Sequence, residues 1–343
     1  MNFWEKLPKP FFVLAPMADV TDAAFRRIIA KYSAHERADG TIGGPDVMWT
    51  EFVSADGLVR ATPEGREKLM ADLVYDTTER PIVAQLFSSD EGHMEYAANL
   101  CRELGFDGVD INMGCPDRSI ERQGCGSAMI KNPESAAKII QAAKKGARMG
   151  EIGGIPVSVK TRLGYNRDQL EEWLPFLLNE EPAVIIVHGR TRKEMSKVPA
   201  RWERIGRAVE IRNEVQKENN FKTRIIGNGD ALSLLDARRK ALLSGADGVM
   251  LGRAIFGNPW LFHPDLTVES IPLKDRLSVM LEHTELFVEL LPFKNLAVMK
   301  KHYKAYVKDF SGASELRAKL MEQDSVSNIR EIVEDFLVKN SQL

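Results

Sequence analysis

Cys115 lies in the segment Asp110-Ile-Asn-Met-Gly-Cys-Pro116, where Gly114 and Pro116 set a tight turn at the end of an apolar run. A thiol of ordinary pKa, about 8.5, is mostly protonated at neutral pH and can act as an acid without special tuning. A nucleophile would need an adjacent base, for which His188 is the candidate. Proton donation is therefore the expected chemistry of Cys115. Two glycine turns point to a second kind of chemistry. Ile226-Gly-Asn-Gly-Asp230 and Leu251-Gly-Arg-Ala254 place glycine where a backbone N–H can approach an oxyanion closely. A phosphate would fit at these glycine turns, with Arg253 supplying charge.

These residues need a frame. Short apolar, β-branched runs recur at 11–15, 46–52, 82–86, 108–112, 156–160, 183–188, 224–227 and 248–251. Between them lie stretches with apolar residues three to four apart, at 23–32, 91–104, 134–148, 202–219 and 232–243. Strand and helix alternating eight times predict an α/β fold, a closed (β/α)8 TIM barrel, with an open doubly wound sheet as the runner-up. Beyond Asn258-Pro259-Trp260 the strand rhythm stops, and 273–291, 296–310 and 325–337 read as helices. The expected division is a catalytic barrel over 1–263 and a smaller C-terminal helical-bundle domain over 264–343. The segment 34–45, rich in glycine and charge, reads as a surface loop without an assigned role.

Active sites of such barrels sit at the C-terminal ends of the strands. Those ends offer Pro16-Met17-Ala18, Glu51, Gln85, Asn112 with Cys115, Lys160 with Arg162, His188 with Arg190, Asn228-Gly229-Asp230 and Gly252-Arg253. Buried strands do not need such groups for stability, and Lys160 interrupts a core-like run, Val-Ser-Val-Lys. A cation beneath the N1–C2=O edge of a flavin would stabilise its anionic reduced form, and an amide such as Gln85 can hydrogen-bond the ring edge. A plain pairing of Lys160 with Glu51 is the alternative.

Composition narrows the class. Of 343 residues, 44% are hydrophobic and 28% charged, as in ordinary globular chains. No stretch has the roughly 18 to 20 uncharged apolar residues of a membrane span, and the opening Met-Asn-Phe-Trp-Glu-Lys does not resemble a secretion signal, so a cytoplasmic protein is expected. Cys101, Cys115 and Cys125 fit neither a disulfide framework nor a zinc pattern, so no metal is expected. Cys101 reads as core packing and Cys125 as a bystander. The net charge of -2 gives no general reason to expect a polyanion partner, so any nucleic-acid reading must rest on local patches.

At this point a family resemblance becomes specific. Leu14-Ala-Pro-Met-Ala-Asp-Val-Thr-Asp22, Ala84-Gln-Leu86, Asn112-Met-Gly-Cys-Pro116 followed by Gly124-Cys-Gly-Ser-Ala128, and Val159-Lys-Thr-Arg-Leu-Gly164 come in order along the chain. Val187-His-Gly-Arg-Thr191, Gly227-Asn-Gly-Asp230 and Gly252-Arg-Ala-Ile-Phe-Gly-Asn-Pro-Trp260 follow. Together they resemble a tRNA-dihydrouridine synthase, while the tail matches more loosely through Lys300-Lys-His-Tyr303. The charged loop at 34–45 and Cys125 depart from that pattern.

The resemblance implies an FMN enzyme that reduces the C5=C6 bond of particular tRNA uridines, with NADPH or NADH recharging the flavin. Carried over, Pro16, Met17 and Ala18 would pass beneath the flavin ring, and Gln85, Lys160 and His188 would contact its ring and ribityl chain. Asn228, Gly229, Asp230, Gly252 and Arg253 would take the phosphate. Hydride would pass from the flavin to uracil C6, Cys115 would protonate C5, and Asn112 would bind the edge of the flipped base. Arg162 and Arg190 at the rim would contact substrate, with Arg192 and Lys193 extending the track. On a helical wheel over 296–310, Lys300, Lys301, Lys304 and Lys308 form a stripe beside an apolar arc, able to meet phosphates or to serve as a solvated face. A monomer is expected. The rival readings are an FMN barrel acting on a free small molecule, similar to dihydroorotate dehydrogenase, and a non-catalytic RNA-binding protein. The lysine stripe argues against the first, and Cys115 with Lys160 against the second.

Overall fold

The computed structural model describes residues 2–217 and 222–340. Eight barrel strands follow in chain order. They are β1 (Phe11–Leu14), β2 (Met48–Ser54), β3 (Ile82–Phe87), β4 (Gly108–Asn112), β5 (Val157–Arg162), β6 (Val184–His188), β7 (Arg224–Asn228) and β8 (Gly248–Leu251). From β2 to β8 each strand pairs in parallel with its sequence neighbour, and β8 pairs with β1. A parallel bridge between Val13 and Val47, with Leu14 N donating to Val47 O at 3.0 Å, joins β1 to the start of β2 and completes the ring. The predicted (β/α)8 barrel is the observed fold.

The strands are covered on both faces, which explains why they read as unbroken Val/Ile runs. Val184, Ile185, Ile186 and Val187 are all fully buried. Predicted and observed strand limits agree within about two residues, the usual precision for such limits. Strand β2 begins later than predicted; at Asp46 the carboxylate accepts from Phe12 N at 2.7 Å and the backbone N–H donates to Phe12 O at 2.8 Å. The helix predicted over 202–219 is observed as Trp202–Lys217, and its last two positions lie outside the described residues. A further helix, Leu170–Leu178, fills the crossover between β5 and β6, with Pro175 inside it.

The chain forms two compact units. One holds the chain up to Ala18 together with Asp46–Gly252, and the other holds Asp19–Pro45 with the chain from Arg253 onward. The boundary between these two units falls after Gly252, and Asp19–Pro45 belongs to the second unit. In this second unit the helix Ala23–Tyr32 meets Leu273–Leu290, where Glu282 accepts from Lys31 Nζ at 2.7 Å and Tyr32 Oη at 2.6 Å. Its core includes Met280, Phe287, Met299, Tyr303, Tyr306, Leu320 and Val333.

The second unit corrects three expectations. The single helix expected over 296–310 is a 3-10 turn, Leu296–Met299, followed by a short α-helix, Lys300–Tyr306, so Lys308 lies beyond the helical stripe. A helix at Ala313–Met321, starting after Gly312 at φ +79°, was not anticipated. The loop at 34–45 contains a small antiparallel hairpin pairing His35 with Gly43 and Glu36 with Ile42. No helix among the described residues is long and apolar enough to cross a membrane.

Candidate active site

Strand register brings the candidate residues round one rim. Gln85 pairs with Asp110, Asn112 with Lys160, Arg162 with His188, His188 with Asn228, and Asn228 with Met250, two residues before Gly252. Pro16, Met17 and Ala18 leave the tip of β1, and the Met17 sulfur lies 3.6 Å from where a Cβ on Gly252 would stand.

The Cys115 turn is held from beneath. Asn112 Oδ1 accepts from Gly114 N at 3.1 Å and from Cys115 N at 2.9 Å, while Ser127 N donates to Cys115 O at 2.9 Å. Gly126, at φ +60°, is required here, because a Cβ would stand 2.7 Å from that same carbonyl. The thiol is half-buried, and burial raises its pKa, with the Asp117 N–H partly opposing. Among the described residues it makes no hydrogen bond to a base, an arrangement that suits an acid and not a nucleophile.

Lys160 is half-buried, and its ammonium makes no ion pair among the described residues; Glu51 is not its partner. Burial, reinforced by Arg162 and opposed by Asp110, pulls its pKa down to about 8. An unpaired cation in such a place favours a ligand that brings negative charge. Gln85 and Asn112 form a chain, with Asn112 Nδ2 donating to Gln85 Oε1 at 3.0 Å and Gln85 Nε2 donating to Asp110 Oδ2 at 2.6 Å. Each amide keeps one further N–H hydrogen for a ligand.

Arg162 and Arg190 are buried. Arg162 Nε donates to Gly114 O at 2.6 Å and Nη1 to Thr191 O at 3.3 Å, so it ties the Cys115 turn to the loop after β6. Burial lowers its pKa to about 10. Arg190 donates to Val198 O at 2.5 Å, to His188 Nε2 at 3.1 Å and to Asp230. Because a guanidinium only donates, His188 Nε2 must accept, which places the ring hydrogen on Nδ1. Arg192 pairs with Glu121, which also accepts from Ser127 Oγ at 2.8 Å. Motif spacing could flag these arginines as polar rim groups but could not reveal their partners.

The phosphate candidates meet where β7 and β8 end. Asn228 Nδ2 donates to Met250 O at 2.9 Å, and Trp202 Nε1 to Gly229 O at 2.8 Å. Gly229 has φ +120°, and a Cβ there would stand 2.7 Å from Ala200 Cβ and 3.1 Å from His188 Cδ2. Asp230 also has positive φ, +50°. The backbone N–H groups of Gly229 and Gly252 have no acceptor among the described residues. Open amide donors at a glycine-lined rim match an oxyanion. Arg253 opens the 3-10 turn Arg253–Ile255 with its side chain exposed.

In the second unit Lys304 is exposed, Lys300 is half-buried, and Lys301 Nζ donates to Asp19 O at 2.5 Å. Cys101 is fully buried, and burial raises its pKa to about 12. Cys125 is buried with Phe87 and Ile120. No group of three or more His, Cys, Asp or Glu among the described residues could hold a metal ion.

The closed parallel barrel, with a protonated thiol, an unpaired lysine and open glycine amides along one rim, defines a protein of the (β/α)8 barrel class with a candidate enzyme site. Comparison with known proteins makes this specific. A family model described as Dihydrouridine synthase (Dus) matches residues 13–341. The chain is 38% identical over 341 residues to a probable tRNA-dihydrouridine synthase 2 of Bacillus subtilis (strain 168), covering 98% of this chain and 96% of the relative. It is 37% identical to a probable tRNA-dihydrouridine synthase of Staphylococcus epidermidis over 98% and 96% of the two chains. The chain belongs to the dihydrouridine synthase family.

Proposed function

We propose that this protein reduces the C5=C6 bond of uridine in tRNA to 5,6-dihydrouridine, with FMN at the barrel rim and NADPH as electron donor. The observation that carries the reading is the half-buried, protonated thiol of Cys115 on the turn after β4, beside the unpaired ammonium of Lys160 at the tip of β5.

The residues present fit the flavin on the chemistry of their donors. The acceptor-less N–H groups of Gly229 and Gly252, with Arg253, would take the phosphate beside Asn228 and Asp230. Lys160, the remaining Nε2 hydrogen of Gln85 and His188 would meet the ring and ribityl chain over Pro16, Met17 and Ala18. A flavin held by these residues would supply the hydride for uracil C6. Cys115 gives its proton to C5, and because burial disfavours the thiolate, the group regains a proton for the next turnover. Asn112 has both carbonyl lone pairs engaged by Gly114 and Cys115, so it can meet the uracil edge only as a donor through Nδ2. Arg162 and Arg190 act through the turns they hold. Removing a base from its stack costs a few kcal/mol, offset by contacts to the rest of the tRNA, for which Lys300 and Lys304 are the candidates. Lys301 serves by fixing the chain at Asp19.

The test is to purify the protein, record its flavin spectrum, and measure dihydrouridine in unmodified tRNA after incubation with NADPH. A yellow protein that forms dihydrouridine is expected. A colourless protein that takes up no FMN contradicts the reading.

A further inference from the structure

Asp110 lies within β4, fully buried, and the mechanism above gives it no task. A buried carboxylate is costly unless its oxygens are bonded. Here Oδ1 accepts from Ser158 Oγ at 2.6 Å and Oδ2 from Gln85 Nε2 at 2.6 Å. Both partners are side chains, so this carboxylate does not brace the strand ladder. From Oδ2 the path runs through Gln85 Oε1 to Asn112 Nδ2, and from Asn112 Oδ1 to the N–H groups of Gly114 and Cys115.

Amides can turn over by 180°, exchanging donor for acceptor, whereas a carboxylate only accepts. Facing Asp110, Gln85 must present its NH2 group, so its carbonyl faces Asn112. Asn112 must then present its own NH2 to Gln85 and its carbonyl to the turn. If Gln85 turned over, two NH2 groups would face each other. Relief would come from turning Asn112, which would set its NH2 against two backbone N–H groups and open the turn. We infer that Asp110 is a positioning residue for proton transfer, its carboxylate fixing two amides in series and through them the turn that presents the Cys115 thiol. This rests on the role proposed for Cys115.

The test uses the full-length, flavin-loaded protein with Asp110→Leu, Asp110→Asn and, as control, Cys115→Ala. The readouts are kcat and KM for unmodified tRNA, the thermal midpoint, and the rate at which iodoacetamide alkylates Cys115. Asp110→Leu removes both acceptors while keeping the branch at Cγ and should lower kcat about 100-fold, the scale of a misplaced reacting group, while KM stays within about threefold. Its Cys115 alkylation rate should shift at least about fivefold as the turn loosens. Asp110→Asn keeps the shape but, like the protonated acid, can donate as well as accept, so it no longer forces Gln85 and should hold kcat at least about fivefold below that of the parent at neutral pH. A folded Asp110→Leu protein with parental kcat or parental alkylation overturns the inference.

Should Asp110→Leu not fold, the acid limb of the Asp110→Asn protein decides. Asp110 is faced by Gln85 from β3, by Ser158 and the charged Lys160 from β5, and by the Trp49 indole from β2. Burial, partly offset by those hydrogen bonds, raises its pKa to about 6. Below that pH the protonated acid can donate as well as accept, and the direction of Gln85 is no longer forced. The parent should therefore lose kcat as pH falls through about 6, and Asp110→Asn should lack that limb; an unchanged limb overturns the inference. An active Cys115→Ala protein would instead defeat the underlying reading, whereas an inactive one beside an active Asp110→Leu protein defeats the inference alone.

Discussion

At the residue scale the account depends on two protonation states, the neutral thiol of Cys115 and the charged ammonium of Lys160. Lys160 carries its charge only below about 8, because burial and Arg162 work against it. Uptake of FMN by the flavin-free protein should weaken as pH rises through about 8, followed by flavin fluorescence quenching. Lys160→Arg should keep the affinity to higher pH, since a guanidinium stays charged. Affinity unchanged up to pH 9 in the parent would separate Lys160 from the flavin. The residue types at this rim were legible in the sequence because each interrupts or ends an apolar run. Their bonds were not legible. Arg162 and Arg190 read in the sequence as substrate contacts at the rim, and the bonds they make to backbone carbonyls and, for Arg190, to Asp230 are not visible there. Spacing along a chain carries no information about a partner 48 residues away, as Gly114 is from Arg162.

At the element scale, the tip of β7 holds Gly229 in a conformation that side-chain-bearing residues rarely adopt. Gly229→Ala should cost about 1–3 kcal/mol of stability and weaken flavin retention, read by thermal melts and bound-flavin absorbance. A variant with the parental midpoint and full flavin would show that the turn tolerates a Cβ. The helices of the second unit make a different prediction. His283 is fully buried with neither ring nitrogen bonded, 4.7 Å from the His302 ring, and burial pulls its pKa from 6.5 to about 3. Below pH 6.5 the unfolded chain binds a proton that the folded chain refuses, so stability falls with pH, by about 2 kcal/mol at pH 5 from His283 alone. His283→Leu should raise the midpoint more at pH 5 than at pH 8; an equal effect at both contradicts this. The barrel strands were legible from their Val/Ile runs, which follow from burial on both faces. Leu170–Leu178 escaped notice because Pro175 reads as a breaker, and Ala313–Met321 because only three of its residues are buried.

At the scale of the whole molecule, the barrel unit would carry the chemistry and the helical unit a grip on RNA. Lys300→Glu with Lys304→Glu should weaken tRNA binding and lower the slope of log K against log salt by up to about 2, roughly one counterion per lysine. An unchanged affinity would make that helix face a solvated surface. The single experiment closest to the central claim is an anaerobic single turnover with the Cys115→Ala protein. Its flavin should be reduced by NADPH as in the parent, while reoxidation by unmodified tRNA should slow by about 100-fold or more, the usual contribution of a positioned acid. Reoxidation at the parental rate would contradict the assignment of Cys115 as the proton donor.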